Sequence, residues 1–264
     1  MDARSKELRK NVLAMVSVGK RGHIGPAGSI VEILRVLYDS WLSFRPNEPD
    51  WLDRDRFILS KGHGCLALYS ILVDKGFFER SELETFCQPG SLLGGHPEIK
   101  IPGVEASTGA LGHGLSIGIG RAIGLKMRRS SSRVVVLVGD GEINEGAIWE
   151  GILSAKKHQL SNLTVLVDYN KMQSFGSTTE VIDLDPLGAK WESFGCAVQE
   201  VDGHCVSELE TMLSRVPFLP DRPSVIICHT VKGKGFSMAE RNASWHHKSR
   251  ISSEELIDLY AGLD

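Results

Sequence analysis

The sequence has no apolar run approaching the roughly twenty residues that a membrane-spanning helix requires. It also has no C-x-x-C, no H-x-x-x-H, no internal repeat and no long linker. Its five cysteines (65, 87, 196, 205 and 228) are odd in number and scattered. That excludes a disulfide framework or a zinc ribbon and fits a reducing cytosol. The histidine spacing argues in the same way against a zinc site. Positive charge is not in excess, and a formal net charge of -3 gives no electrostatic ground for a nucleic-acid partner. No secretory leader is predicted, because Leu8, Val12, Met15 and Val16 recur at the spacing of an amphipathic helix. The expectation is a soluble, cytoplasmic protein with neither membrane nor nucleic acid as partner.

What is present is the composition of a globular enzyme. The chain has 264 residues, 42% hydrophobic and 24% charged, and is long enough to bury roughly 70–75% of its unfolded surface. By length alone it is one large domain or two small ones. Three aliphatic runs, VVVLV (134–138), LTVLV (163–167) and SVIIC (224–228), do not alternate with polar residues. That is the pattern of parallel strands covered on both faces. Between the first two lies GAIWEGILSAKKH, where Ile148, Ile152 and Ala155 share one helical face. Strand, helix and strand at this spacing predict a right-handed βαβ unit and an α/β fold with a mainly parallel sheet flanked by helices. The stretch 43–56, rich in Pro, Asn and Asp, reads as a surface loop.

Parallel neighbouring strands end at one edge of the sheet, where ligands of open α/β sheets sit. The loop after the first run holds Gly139, Asp140 and Gly141; the loop predicted after the second holds Asp168, Tyr169 and Asn170. Either motif alone is an ordinary turn. Placed at adjacent strand ends, Asp140 and Asn170 offer hard oxygen donors suited to Mg²⁺ or Ca²⁺. Too few for an all-protein cage, they suit a cation completed by a carbonyl, water and diphosphate oxygens. Glu142 and Glu145 need no chemistry, since acidic residues are favoured near a helix N-terminus.

Five of the nine histidines follow glycine, at 23, 63, 96, 113 and 204. A lone Gly-His is usually a solvated loop, and periodicity does not say what these bind. The segment 107–129 carries G-I-G-R-A-I-G, a poor match to a dinucleotide fingerprint because its spacing is G-x-G-x-x-x-G and no strand precedes it. It reads instead as a helix with a small-residue face, packed internally or against another subunit. The basic, glycine-rich stretch after SVIIC reads as a solvated loop whose lysines are within reach of a phosphate. SSEELIDLY is a capped C-terminal helix with Ser253 and Glu254 at its start.

G-D-G-E-I-N-E-G with V-D-Y-N-K, Asp140 and Asn170 thirty positions apart, resembles the thiamine-diphosphate motif. The blocks RGHIGPAGS, LSKGHGCLALY, GGHPE, PGVEASTGALGHGLS, KWESFG and TVKGKG resemble the transketolases in particular. The likeness runs in order from about residue 7 to 250 and corresponds to the N-terminal, diphosphate-binding half, as in the small subunit of split transketolases. It implies a single thiamine-diphosphate-binding domain over 1–264. It implies thiamine diphosphate with Mg²⁺ (or Ca²⁺), the metal held by Asp140, Asn170 and the Met172 carbonyl. Gly141 and His63 would contact the diphosphate, with Gly112 and Gly139 also at the cofactor. His23, His96 and His246 would serve proton transfer and sugar orientation around the thiazolium, and Glu145 would communicate between cofactor sites.

The resemblance also implies what must come from elsewhere. The glutamate that touches the cofactor's pyrimidine, and the arginines that grip a sugar phosphate, belong to a second half. A chain ending at Asp264 is expected to take that pyrimidine-binding domain from a partner subunit, as a heterotetramer acting on small-molecule sugars. The implied function is transfer of a two-carbon ketol unit from a ketose, expected to be phosphorylated, to an aldehyde. The alternatives are half of another thiamine-diphosphate carboligase, a non-catalytic cofactor-binding subunit and, most remotely, a nicotinamide oxidoreductase. Two local departures stand out: Trp245-His246-His247-Lys248 replaces the family's W-H-G-K, and His113 stands where glutamine is commoner.

Overall fold

The computed structural model describes residues 1–263. Its centre is a five-stranded, wholly parallel sheet in the order β1-β2-β3-β5-β4. The strands are Arg56–Leu59 (β1), Val134–Gly139 (β2), Leu163–Tyr169 (β3), Ala197–Asp202 (β4) and Ser224–His229 (β5). The three aliphatic runs are the three central strands, β2, β3 and β5. Their lack of polar alternation follows from cover on both faces.

Ten α-helices are present among the described residues: Ala3–Gly19 (α1), Ile24–Gly28 (α2), Val31–Val36 (α3), Cys65–Asp74 (α4), His113–Met127 (α5), Gly146–Lys157 (α6), Thr178–Val181 (α7), Leu187–Ser193 (α8), Val206–Ser214 (α9) and Ser253–Ala261 (α10). Leu115 and Ile119 of α5, Ile148 and Ile152 of α6, and Leu187 and Trp191 of α8 pack with Val134, Val136, Val165 and Val225. The opposite face, Val135, Leu137, Leu166 and Ile226, is covered by α1 to α4, α9 and α10. The division follows from handedness. The chain moves one way across the sheet from β1 to β4 and returns from β4 to β5, so the returning helix α9 lies on the other face.

The N-terminal amphipathic helix is α1, with Leu8, Val12, Met15 and Val16 buried. Two strands escaped the sequence reading. Only the last residue of the loop at 43–56, Arg56, belongs to β1, which is four residues long. β4 lies at the sheet edge and is half-exposed. Asp168 and Tyr169 are not in a loop but are the last two residues of β3, and both are buried. At α10 the cap is Ser252 paired with Glu255, one residue before the expected start.

The small-residue helix α5 packs internally. A Cβ on Gly114 would stand 2.4 Å from Ser60 Oγ, and one on Gly118 2.4 Å from Val136 Cγ2, so both glycines let α5 press onto the sheet. Gly120 and Gly124 face open space instead.

Candidate active site

The carboxyl ends of β2 and β3 open into a cavity of about 300 Å³. Gly139, Asp140 and Gly141 leave β2 along it, and Asn170 and Met172 leave β3 beside them. The hydrogen bonds show why the turn holds its shape. Asp140 Oδ1 accepts from Gly141 N at 2.7 Å and Oδ2 from Lys171 N at 2.7 Å, stapling the two strand ends together. Asn170 Oδ1 accepts from Met172 N at 3.1 Å, and its amide donates to Asp168 Oδ2 at 3.0 Å.

Among the described residues no three His, Cys, Asp or Glu side chains are grouped to hold a metal ion. The oxygen donors the turn offers are the Asp140 carboxylate, the Asn170 amide oxygen and the Met172 carbonyl. The surroundings fit a bound cation. Asp140 is 3% exposed, and burial together with the neighbouring Asp168 carboxylate raises its pKa. A divalent cation would relieve that strain. Lys61 and Lys232, both buried, line the same cavity and suit an anionic diphosphate. Gln173 Nε2, also at the cavity, is a buried donor with no acceptor among the described residues, and a ligand oxygen would satisfy it.

Four histidines line the cavity: His23, His63, His96 and His246. The ring centroids of His23 lie 5.6 Å from His63, 6.1 Å from His96 and 6.0 Å from His246. Burial lowers all four pKa values, with nearby positive groups adding to it. His23 falls to about 4 and His246 to about 3; His63, next to Lys61, falls well below the ordinary value, and His96 falls as well. They are uncharged imidazoles at neutral pH, able to donate or accept hydrogen bonds without adding charge. Of the His246-His247 pair, His246 lines the main cavity, whereas His247 is exposed and its ring stands 4.7 Å from that of His23.

Other expected residues are not brought in. Glu145 is exposed at the start of α6, outside the cavity lining. Gly112, at φ +81°, is the cap residue of α5 and touches Glu145 rather than the cavity. His113 is exposed, and His204 is bonded to the buried Glu32 at 2.9 Å. A glycine before a histidine therefore did not separate site residues from loop residues.

The sequence reading missed the residues that hold the site in place. Glu142, assigned only a helix-end role, is buried and joins three segments. Its carboxylate accepts from Ser60 Oγ at 2.5 Å, Gly112 N at 3.0 Å and Gly139 N at 3.1 Å. Asp168 is fully buried and accepts from Lys61, Thr230 and Ser29 as well as Asn170. Lys232, expected in a solvated loop, is buried and donates to the Met172 carbonyl at 2.7 Å. The available signal was position: each lies within three residues of a strand end at the carboxyl edge.

Residues 3–261 match the family described as "Transketolase, thiamine diphosphate binding domain". An apulose-4-phosphate transketolase subunit of Phocaeicola vulgatus is 39% identical over 247 residues, covering 94% of this chain and 88% of that protein. The 6-deoxy-6-sulfo-D-fructose transketolase subunit SqwG of a Clostridium species is 39% identical over 238 residues, covering 89% of this chain and 86% of that one. Among solved structures, the transketolase of Campylobacter jejuni superposes with a TM-score of 0.91 at 28% identity, over 98% of this chain but 42% of its own. The chain thus spans about two-fifths of that transketolase and nearly the whole of the two subunits.

Proposed function

The chain belongs to the family of transketolase thiamine-diphosphate-binding domains, and on that premise we propose that it is the diphosphate- and metal-binding subunit of a two-component transketolase. With its partner it moves a two-carbon ketol unit from a ketose to an aldehyde. The observation that carries this reading is the meeting of Asp140 and Asn170 at adjacent strand ends, beside a cavity lined by four imidazoles. When bound, thiamine diphosphate supplies a carbon nucleophile and an electron sink for the two-carbon unit.

The chain's own residues supply binding, orientation and proton transfer. Asp140, Asn170 and the Met172 carbonyl would hold Mg²⁺ or Ca²⁺, which would supply charge neutralisation for a bound diphosphate. Lys61, Lys232, His63 and the Gly141 amide complement the diphosphate charge. His23, His96 and His246 stand around the reacting end of the cavity, orient sugar hydroxyls and exchange protons with them. Glu145 and Gly112, outside the cavity, take no part in binding substrate; Glu145 stays available for a contact between subunits.

The pyrimidine-binding domain is assigned to a second polypeptide, in a heterotetramer. Support comes from the two relatives named as subunits, which are matched over 88% and 86% of their own lengths. A cytoplasmic location suits the five free cysteines found among the described residues. The test is to purify the chain with and without a co-expressed pyrimidine-domain chain, and to measure Mg²⁺-dependent thiamine diphosphate retention and ketol transfer. Full turnover by the isolated chain would overturn the two-component reading. For the metal, Asp140→Ala is expected to abolish Mg²⁺-dependent cofactor binding in calorimetry while circular dichroism stays that of a folded chain; unchanged affinity refutes the assignment.

A further inference from the structure

Ser174 has no part in the chemistry assigned so far, yet among the described residues it makes the one hydrogen bond that holds a cavity imidazole from outside its own segment. After Asn170 the chain turns back on itself. Met172 and Ser177 pair as an antiparallel bridge, and Gln173 N donates to Gly176 O at 2.8 Å. This turn sets Ser174 Oγ 3.0 Å from His246 Nε2, a contact across 72 residues. Both residues line the cavity. The other ring nitrogen, His246 Nδ1, is buried and has no hydrogen-bond partner among the described residues.

An uncharged imidazole carries its proton on one nitrogen only. A buried N–H without an acceptor is rarer and costlier than a buried acceptor without a donor. The balance therefore puts the proton on Nε2, pointing at Ser174 Oγ, and leaves a bare lone pair on Nδ1. Ser174 then accepts from His246 and keeps its own proton to donate. Its side chain makes no other hydrogen bond among the described residues.

We propose that Ser174 is a positioning residue for the ketol-transfer site: it holds His246 in the Nε2–H tautomer and turns its own hydroxyl proton into the cavity, as a donor to a sugar oxygen. This role rests on the transketolase reading, because polyhydroxylated substrates present the acceptor oxygens that such a donor serves. Loss of the Ser174 hydroxyl would leave His246 free to rotate about its side-chain bonds, and a misplaced proton-transfer group is expensive in rate.

The experiment uses the full chain, uniformly ¹⁵N-labelled, with thiamine diphosphate and Mg²⁺ followed by calorimetry. Long-range ¹H–¹⁵N spectra report which ring nitrogen of His246 is protonated, with the signal assigned by its loss in His246→Gln. The ¹⁵N shifts of a proton-bearing Nε2 and a bare Nδ1 are expected in the wild-type chain and in Ser174→Thr, which keeps the hydroxyl. A mixture of the two tautomers is expected in Ser174→Ala, with cofactor affinity unchanged. A proton on Nδ1 in the wild-type chain, or an unmixed Nε2–H tautomer in Ser174→Ala, overturns the proposal. A wild-type chain that retains no thiamine diphosphate even with its co-expressed pyrimidine-domain partner overturns the functional reading instead, and with it the role toward substrate, even where the histidine signal is present.

Discussion

Replacement of Glu142 by glutamine tests whether the Gly139-Asp140-Gly141 turn is held from beneath. The carboxylate takes three donors on two oxygens: Ser60 Oγ and Gly112 N on Oε1, and Gly139 N on Oε2. Glutamine has one oxygen and one amide nitrogen, so either orientation sets an NH₂ against a backbone N–H. At least one buried donor is orphaned, at a cost of about 1–3 kcal/mol. The surviving bonds lose the assistance of a full charge, roughly 1 kcal/mol more. Part of this is returned, because burial already raises the Glu142 pKa and the neutral amide is cheaper to bury. The expected net loss is ~3 kcal/mol in urea unfolding at neutral pH. Because Gly139 leads directly into Asp140, cofactor affinity should weaken as the turn samples other shapes, and affinity falls with the fraction of competent turns. Ser60→Ala, which removes one donor and leaves both backbone bonds, should cost about 1 kcal/mol. A Glu142→Gln chain as stable as wild type, with full affinity for thiamine diphosphate and Mg²⁺, would refute the reasoning.

A buried network under α3 makes stability depend on acid. Burial works to raise the Glu32 pKa, but hydrogen bonds from His204 and Arg9 outweigh it and hold the group at about 2 against an ordinary 4.5. The folded-state pKa is depressed, so its contribution is complete above pH 4.5 and is lost as pH falls towards 2. The shift corresponds to about 3 kcal/mol. Thermal unfolding across that window should show a steep loss in the wild-type chain and a flatter one in Glu32→Gln, which starts lower because Arg9 is left buried without its counter-charge; parallel curves would contradict it. Along α5, Gly118→Ala should destabilise by about 1–3 kcal/mol, since the new Cβ meets Val136 Cγ2 at 2.4 Å. Gly124→Ala, facing open space, should stabilise the isolated chain by up to ~1 kcal/mol. The opposite order in melting temperature would exclude this packing.

The sheet and the site were legible to different depths, for physical reasons. β2, β3 and β5 declare themselves because a strand covered on both faces has no polar alternation, and the βαβ spacing then aims Asp140 and Asn170 at one edge. β1 is too short for a period to show, and β4 is an edge strand whose outward Gln199 and Glu200 resemble a loop. Spacing reached as far as a cation and a phosphate; the resemblance to the transketolases, not the spacing, supplied thiamine diphosphate. Lys232 and Glu142 were hidden because their burial depends on residues distant in sequence. Gly233 N donates to Gly25 O at 2.9 Å, and a Cβ on Gly28 would stand 2.9 Å from the Gly233 carbonyl carbon. That close approach of two backbones presses the basic loop onto α2 and carries Lys232 inward to the Met172 carbonyl. Glu142 is turned inward by donors from Ser60 and Gly112, which reach it only once β1 and α5 have packed beside β2. A local rule reads a lysine among glycines as solvated and a glutamate before a helix as a dipole partner. Here tertiary contact overrides both, and it does so beside the turn that carries Asp140.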